Sequence, residues 1–193
     1  MSGARPPPLR TFLALWPNPE IRSELARRAA LIAKSVSGRP VQPDVLHLTL
    51  VFIGATPRDR VPALQKLMDG THLPRFTVQL DQCGWWRHNG IAWAGTRSVP
   101  EGLLALQRAL AHGAQKLGFS LDVRPYVAHL TLARDAGRSP PALMPALEWE
   151  IDSFVLVASD LTPKGPHYRI LHQCALDGNV AVAASADFEL VRE

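Results

Sequence analysis

Hydrophobic positions along the chain alternate between two periods, one for strands and one for helices. Thr11 to Trp16 is a short apolar run stopped by Pro17, which reads as a buried strand. Asn18 can then cap a helix with Pro19 at its first position. Ile21, Leu25, Arg28/Ala29, Ile32 and Val36 recur at helical spacing until Ser37-Gly38 ends that stripe. A polar, proline-punctuated loop from Arg39 to Asp44 leads to a strand over Val45 to Ile53, closed by Gly54. A shorter helix follows from Arg58 to Asp69, with Val61, Leu64 and Met68 inward. Phe76 to Leu80 alternates as a strand, and Asn89-Gly90 predicts a hairpin between Cys83–Trp86 and Ile91–Ala94.

The second half repeats the theme. Glu101 to Leu117 is a helix with Leu103, Leu106, Leu110, Ala114 and Leu117 on one face, stopped by Gly118. Phe119 to Val123 reads as a strand, and Arg124-Pro125 leads into another over Val127 to Ala133. Residues 136 to 147 read as loop. Trp149 to Val157 and Tyr168 to Leu176 read as strands around the turn Pro163 to Pro166, with a last strand expected within Val180 to Val191.

Two of these strands carry the same four letters, His47-Leu48-Thr49-Leu50 and His129-Leu130-Thr131-Leu132. Side chains on a strand alternate faces, so each copy presents an imidazole and a hydroxyl on one side and leucines on the other. The surroundings repeat as well. Phe12 and His47 stand 35 positions apart, and Trp93 and His129 stand 36 apart, each pair enclosing a strand and a helix. A duplicated unit with internal pseudo-twofold symmetry would bring the motifs together at its axis. The predicted fold class is α+β: two pseudo-symmetric lobes of mostly antiparallel sheet, with outer helices and a cleft between the lobes. Residues 1–8 read as a frayed tail and 9–193 as one bilobal domain.

Composition narrows the picture. A 193-residue chain with 47% hydrophobic and 20% charged residues suits one globular domain. A net charge of +4 permits an anionic substrate without demanding nucleic acid. Cys83 and Cys174 have no CxxC spacing and are read as buried, reduced thiols. No stretch has membrane-spanning length, and no signal-peptide core stands near the start. A cytoplasmic monomer without metal or cofactor is expected.

Two imidazoles flanking a phosphodiester could serve as base and acid, and the threonine hydroxyls could stabilise the charge on phosphorus. A strained 2′,3′-cyclic phosphate suits that set, since its leaving oxygen stays tethered and needs only one proton. Here the sequence resembles the 2H phosphoesterases, whose hallmark is two H-x-[ST]-x motifs. It is most similar to the bacterial and archaeal RNA 2′,3′-cyclic phosphodiesterase branch, once called 2′-5′ RNA ligase. The similarity runs from Arg10 to about Leu171. It includes Arg10 to Ala14, Leu46 to Gly54, Arg124 to Arg134, and Leu156 to Leu161 followed by Gly165 and Tyr168. Ala128 and Val127 stand where the family often has proline preceded by a basic residue, and Pro40 replaces an aromatic.

The resemblance implies His47 as proton donor to the departing 3′ oxygen, His129 as the base activating water, and Thr49 and Thr131 as phosphate ligands. It also implies substrate contacts at Arg134, Phe12 and Tyr168. Arg134 lies five positions after His129, so simple alternation turns it to the wrong face unless a bulge, a twist or the strand's end intervenes. His72, His88, His112, His167 and His172 read as solvated or structural, the last two on opposite faces of one strand. Of Trp85 and Trp86, adjacent on a strand, at least one is expected in the core. The expected partner is RNA or a nucleotide ending in a 2′,3′-cyclic phosphate. The rival readings are RNA ligation by the same histidines run in reverse, a non-catalytic RNA-binding module, and a nucleotide or ADP-ribose cyclic phosphate as substrate.

Overall fold

A computed structural model describes residues 6–162 and 165–177. Its elements in chain order are β1 (Leu9–Leu15), α1 (Pro19–Ser35), β2 (Arg39–Pro40), β3 (Leu48–Thr56), α2 (Val61–Asp69), β4 (Phe76–Trp86) and β5 (Ile91–Gly95). α3 (Glu101–Lys116), β6 (His129–Arg134), β7 (Leu143–Ile151), β8 (Ser153–Thr162) and β9 (Gly165–Ala175) follow. All nine strands join one sheet in the order β7-β4-β5-β6-β3-β1-β8-β9, with the two-residue β2 added against β6. Every pairing of these strands is antiparallel.

The order is symmetric about the β6/β3 junction. β1–α1–β3 and β5–α3–β6 are the two copies of the strand–helix–motif unit, and the motif strands are neighbours at the centre. They share a single register pair, Leu48↔Leu130. Both leucines are fully buried in the main core, with Leu25 and Ala29 of α1, Leu64 and Met68 of α2, and Leu103, Leu106 and Leu110 of α3. Helices therefore cover the leucine side of the sheet centre. A smaller cluster of Phe12, Ala14, Val155 and Val157, with Trp16 and Tyr168 against it, lies on the other side.

Local chemistry places the elements as expected in most cases. The Asn18 side chain accepts from the Ile21 N–H at 2.9 Å and caps α1. Gly90 takes φ +64° in the hairpin joining β4 and β5, which only a residue without a Cβ adopts cheaply. Arg28, on the apolar stripe of α1, is buried with its guanidinium satisfied by Glu24 and by the Pro145 carbonyl.

β3 runs through Gly54 to Thr56 instead of closing at Gly54, β9 begins at Gly165 ahead of Tyr168, and four larger differences from the sequence reading follow. Phe76–Leu80 and Cys83–Trp86 are one strand, β4, with a register irregularity near Asp81. The stretch Trp149–Val157 is two strands broken at Asp152, β7 pairing with β4 and β8 with β1. β7 begins at Leu143, inside the span read as loop, because it is an edge strand where Pro145 removes no ladder bond the sheet needs. Phe119–Val123 is not a strand. Residues 6–8 are exposed and without regular structure. The turn at Pro163-Lys164 and the strand expected within Val180–Val191 fall outside the described residues. Among the described residues, no helix is long and apolar enough to cross a membrane.

Candidate active site

Continuing the Leu48↔Leu130 register sets His47 across from Thr131 and Thr49 across from His129. Both pairs stand on the side of the sheet away from the helices. The two imidazoles are held alike. His47 Nδ1 lies 2.7 Å from the Val45 carbonyl oxygen and His129 Nδ1 lies 2.8 Å from that of Val127. A carbonyl only accepts, so each ring carries its proton on Nδ1 and turns Nε2 to the open face. His47 Nε2 is 3.1 Å from the Thr49 hydroxyl.

The surroundings of the two rings are unequal. Trp16 stacks on His47 with centroids 5.5 Å apart and planes 10° from parallel. Phe12 and Tyr168 close two further sides at 4.8 Å and 5.3 Å. Burial among these rings lowers the His47 pKa to about 4, partly opposed by the Val45 hydrogen bond, with the charges of His129 and Arg134 adding smaller decreases. Burial also lowers the His129 pKa, against its bond to Val127. His129 meets one ring edge-on, that of Trp86 at 4.5 Å. It opens on a cavity of about 550 Å³ that also touches Thr49, Phe52 and Tyr126.

Arg134 does share the motif face. β6 has a register irregularity against β5: Thr131 pairs with Trp93 but Ala133 with Ala92, so Leu132 is the extra residue. The bulge turns Ala133 to the helix side and Arg134 to the side of His129. Its charge acts on both His47 and Tyr168. β3 does the same. Leu13 pairs with Val51 and Ala14 with Thr49, leaving Leu50 extra and bringing Phe52 onto the motif face. Phe52 is the positional counterpart of Arg134, each five residues after its histidine.

Phe12 is only 4% exposed, which makes it a wall behind His47; Tyr168 is half-buried at the mouth. Of the tryptophan pair, Trp85 packs with Ala33, Val36 and Ala92, while Trp86 joins the site. Trp16, Phe52 and Tyr126 were missed by sequence reasoning. Trp16 had a legible signal, since it continues the alternation of Phe12 and Ala14 one residue beyond the end of β1. Tyr126 had none; its hydroxyl donates to the Thr49 carbonyl at 3.3 Å across 77 residues of chain.

Glycines keep the His129 side in shape. A Cβ on Gly84 would lie 2.0 Å from the Trp93 ring, which is 5.6 Å from that of Trp86. Gly84→Ala is therefore expected to push Trp93 into Trp86 and disturb His129, costing about 1–3 kcal/mol of stability. Denaturant titration and turnover of the variant check both effects.

Among the described residues, the group with metal-ligand chemistry is Asp69, His172 and Cys174, whose donor atoms lie within 4.8 Å of one another. It is at the end of α2 on the helix side and so is separate from the histidine pair. A bulge in β9 between Ile170 and His172 puts His172 on the same side as His167, correcting the expectation of opposite faces.

The LigT like phosphoesterase model matches the chain twice, over residues 15–93 and 95–168, so each match contains one motif strand. The RNA 2′,3′-cyclic phosphodiesterase of Escherichia coli is 34% identical over 88% of this chain and 97% of its own length. That of Thermus thermophilus is also 34% identical, over 88% and 91%. The structure of Escherichia coli LigT complexed with 3′-AMP superposes with a TM-score of 0.80 at 33% identity, covering 88% of this chain and 98% of that one. With both halves matched, and the two motif strands side by side at the sheet centre, the chain belongs to the LigT like phosphoesterase family.

Proposed function

We propose that this protein is an RNA 2′,3′-cyclic phosphodiesterase in which His129 and His47 act as base and acid. The observation that carries the reading is the meeting of two Nδ1-anchored imidazoles across the Leu48/Leu130 pair. Its relatives in Escherichia coli, Thermus thermophilus and Archaeoglobus fulgidus bear that activity in their names. A water proton goes to His129 Nε2 while the water oxygen attacks phosphorus. The P–O3′ bond breaks, and His47 Nε2 gives its proton to O3′, leaving a 2′-phosphate. Thr49 and Thr131 donate to the non-bridging oxygens, and Arg134 balances their charge. Tyr168 borders the sugar, and Phe12 holds the His47 ring. Every group comes from one chain, so a monomer suffices, and none of the steps calls on a metal. We place the protein in the cytoplasm.

The test is turnover of a 2′,3′-cyclic mononucleotide to its 2′-phosphate in the presence of EDTA. No turnover, or a 3′-phosphate product, would overturn the assignment of roles.

The pH dependence follows from burial. The free enzyme needs one neutral and one charged imidazole, and both pKa values lie below the ordinary 6.5. The maximum of kcat/KM falls between them and is expected below pH 6.5. A bound phosphodiester anion favours protonation of both rings, so the kcat profile shifts to higher pH. A kcat/KM profile flat from about pH 5 to 9 would contradict this.

A further inference from the structure

The two halves of the sheet differ in one respect beside the junction. β6 gains a second neighbour past Leu130, because β2 pairs Arg39 with Arg134 and Pro40 with Ala133, and the Val41 N–H donates to the Leu132 carbonyl. By the pseudo-symmetry, the segment 119–123 is the counterpart of β2. It stands off β3, whose pairing on this side stops at Leu48. The result is a groove along β3. Its first part is the cavity of about 550 Å³ at His129, and its second is a cavity of about 480 Å³ lined by Gly54, Arg60 and Phe119. The two meet at Phe52 and Asp122, which border both.

One guanidinium seated on a ring, that of Arg60, lines the second cavity, and another, that of Arg10, covers Phe52 where the two cavities meet. Arg10 lies 4.6 Å above the Phe52 centroid, and Arg60 lies 4.8 Å above that of Phe119. The Arg60 side chain also donates to the Leu117 carbonyl, which fixes its position. Phe52 is 43% exposed, unusual for a large apolar side chain beside a reactive cleft. The carboxylate at this rim, Asp122, is taken by Arg124, whose Nε donates to it at 2.8 Å.

We propose that the cavity beyond Phe52 is a second nucleotide subsite, which takes the nucleotide preceding the cyclic phosphate end of single-stranded RNA. The proposal rests on the RNA phosphodiesterase reading above. Aromatic faces stack bases whatever their identity, and arginines beside them meet the linking phosphate. An apolar peptide would gain nothing from the two guanidiniums. The groove starts at His129 and Thr49, so a chain held by its end at the histidine pair has a continuous path into it.

The experiment compares a dinucleotide ending in a 2′,3′-cyclic phosphate with the corresponding cyclic mononucleotide. The parent protein is expected to show higher kcat/KM for the dinucleotide. Phe119→Ala and Arg60→Ala should each lower that value about tenfold and leave the mononucleotide unchanged. Phe119→Leu, which keeps apolar bulk without a π-face, should reproduce the loss in a stably folded protein. Equal kcat/KM for the two substrates in the parent overturns the proposal and hands the groove to a peptide strand or a second copy of the chain. Variants that affect both substrates alike, or neither, overturn it too. If the parent turns over neither substrate, the phosphodiesterase reading itself falls, a result distinct from these.

Discussion

Replacing His129 with asparagine is expected to lower kcat by about 10²- to 10⁴-fold, and His47→Asn to do the same. Asparagine is the informative substitution. Its side-chain amide can still donate to the Val127 or Val45 carbonyl, as Nδ1 does now, but it offers nothing at the position of Nε2. Loss of turnover with an unchanged thermal transition at neutral pH then isolates the proton transfers from the packing. The double variant should fall little below either single one, because in the proposed mechanism base and acid act in one step. A single variant that keeps more than about a tenth of the parent rate would show that its histidine carries no proton in the reaction.

The same pair predicts a difference in acid stability. The folded His47 pKa of about 4 lies below its unfolded value of 6.5, so the unfolded chain binds more protons between them. The stability of the parent therefore declines as pH falls through this window. His47→Asn has no such proton to bind and should decline less.

Leu130→Ala is expected to have the largest effect on stability, about 2–5 kcal/mol, because the side chain is fully buried in the main core. It should also reduce turnover under conditions where the variant remains folded. Leu130 and Leu48 form the register pair joining the two motif strands, so a cavity there loosens the spacing of the two imidazoles. Leu103→Ala, another fully buried leucine of the same core but on α3 and outside the register pair, is the control. It should lose comparable stability with much less loss of turnover. If denaturant midpoints and turnover fell in parallel for both variants, the junction would have no special part in aligning the site.

The places where alternation failed are instructive. Counting by twos from His129 puts Arg134 on the helix side, and counting from His47 does the same to Phe52. In each case one extra residue, Leu132 or Leu50, flips the strand beyond it. A bulge is a property of the pairing with β5 or β1 and leaves no mark in the strand's own residues. The split of Trp149–Val157 has the same origin. Its residues are uniformly strand-like, and the break at Asp152 exists because one half pairs with β4 and the other with β1.

The sequence by itself determined the two motif strands, the side of each that bears the imidazole and hydroxyl, the helices between them and the duplicated order. All of these depend on neighbours within a few residues, where periodicity, caps and turn residues act. Tertiary structure alone decided the single register pair that brings the motifs together, the bulges that turn Arg134 and Phe52 to the cleft, and the ring cage of Trp16, Phe12 and Tyr168 that lowers the His47 pKa. Those depend on which strand lies beside which and on how much water is excluded, and both are fixed only when residues far apart in the chain pack against one another.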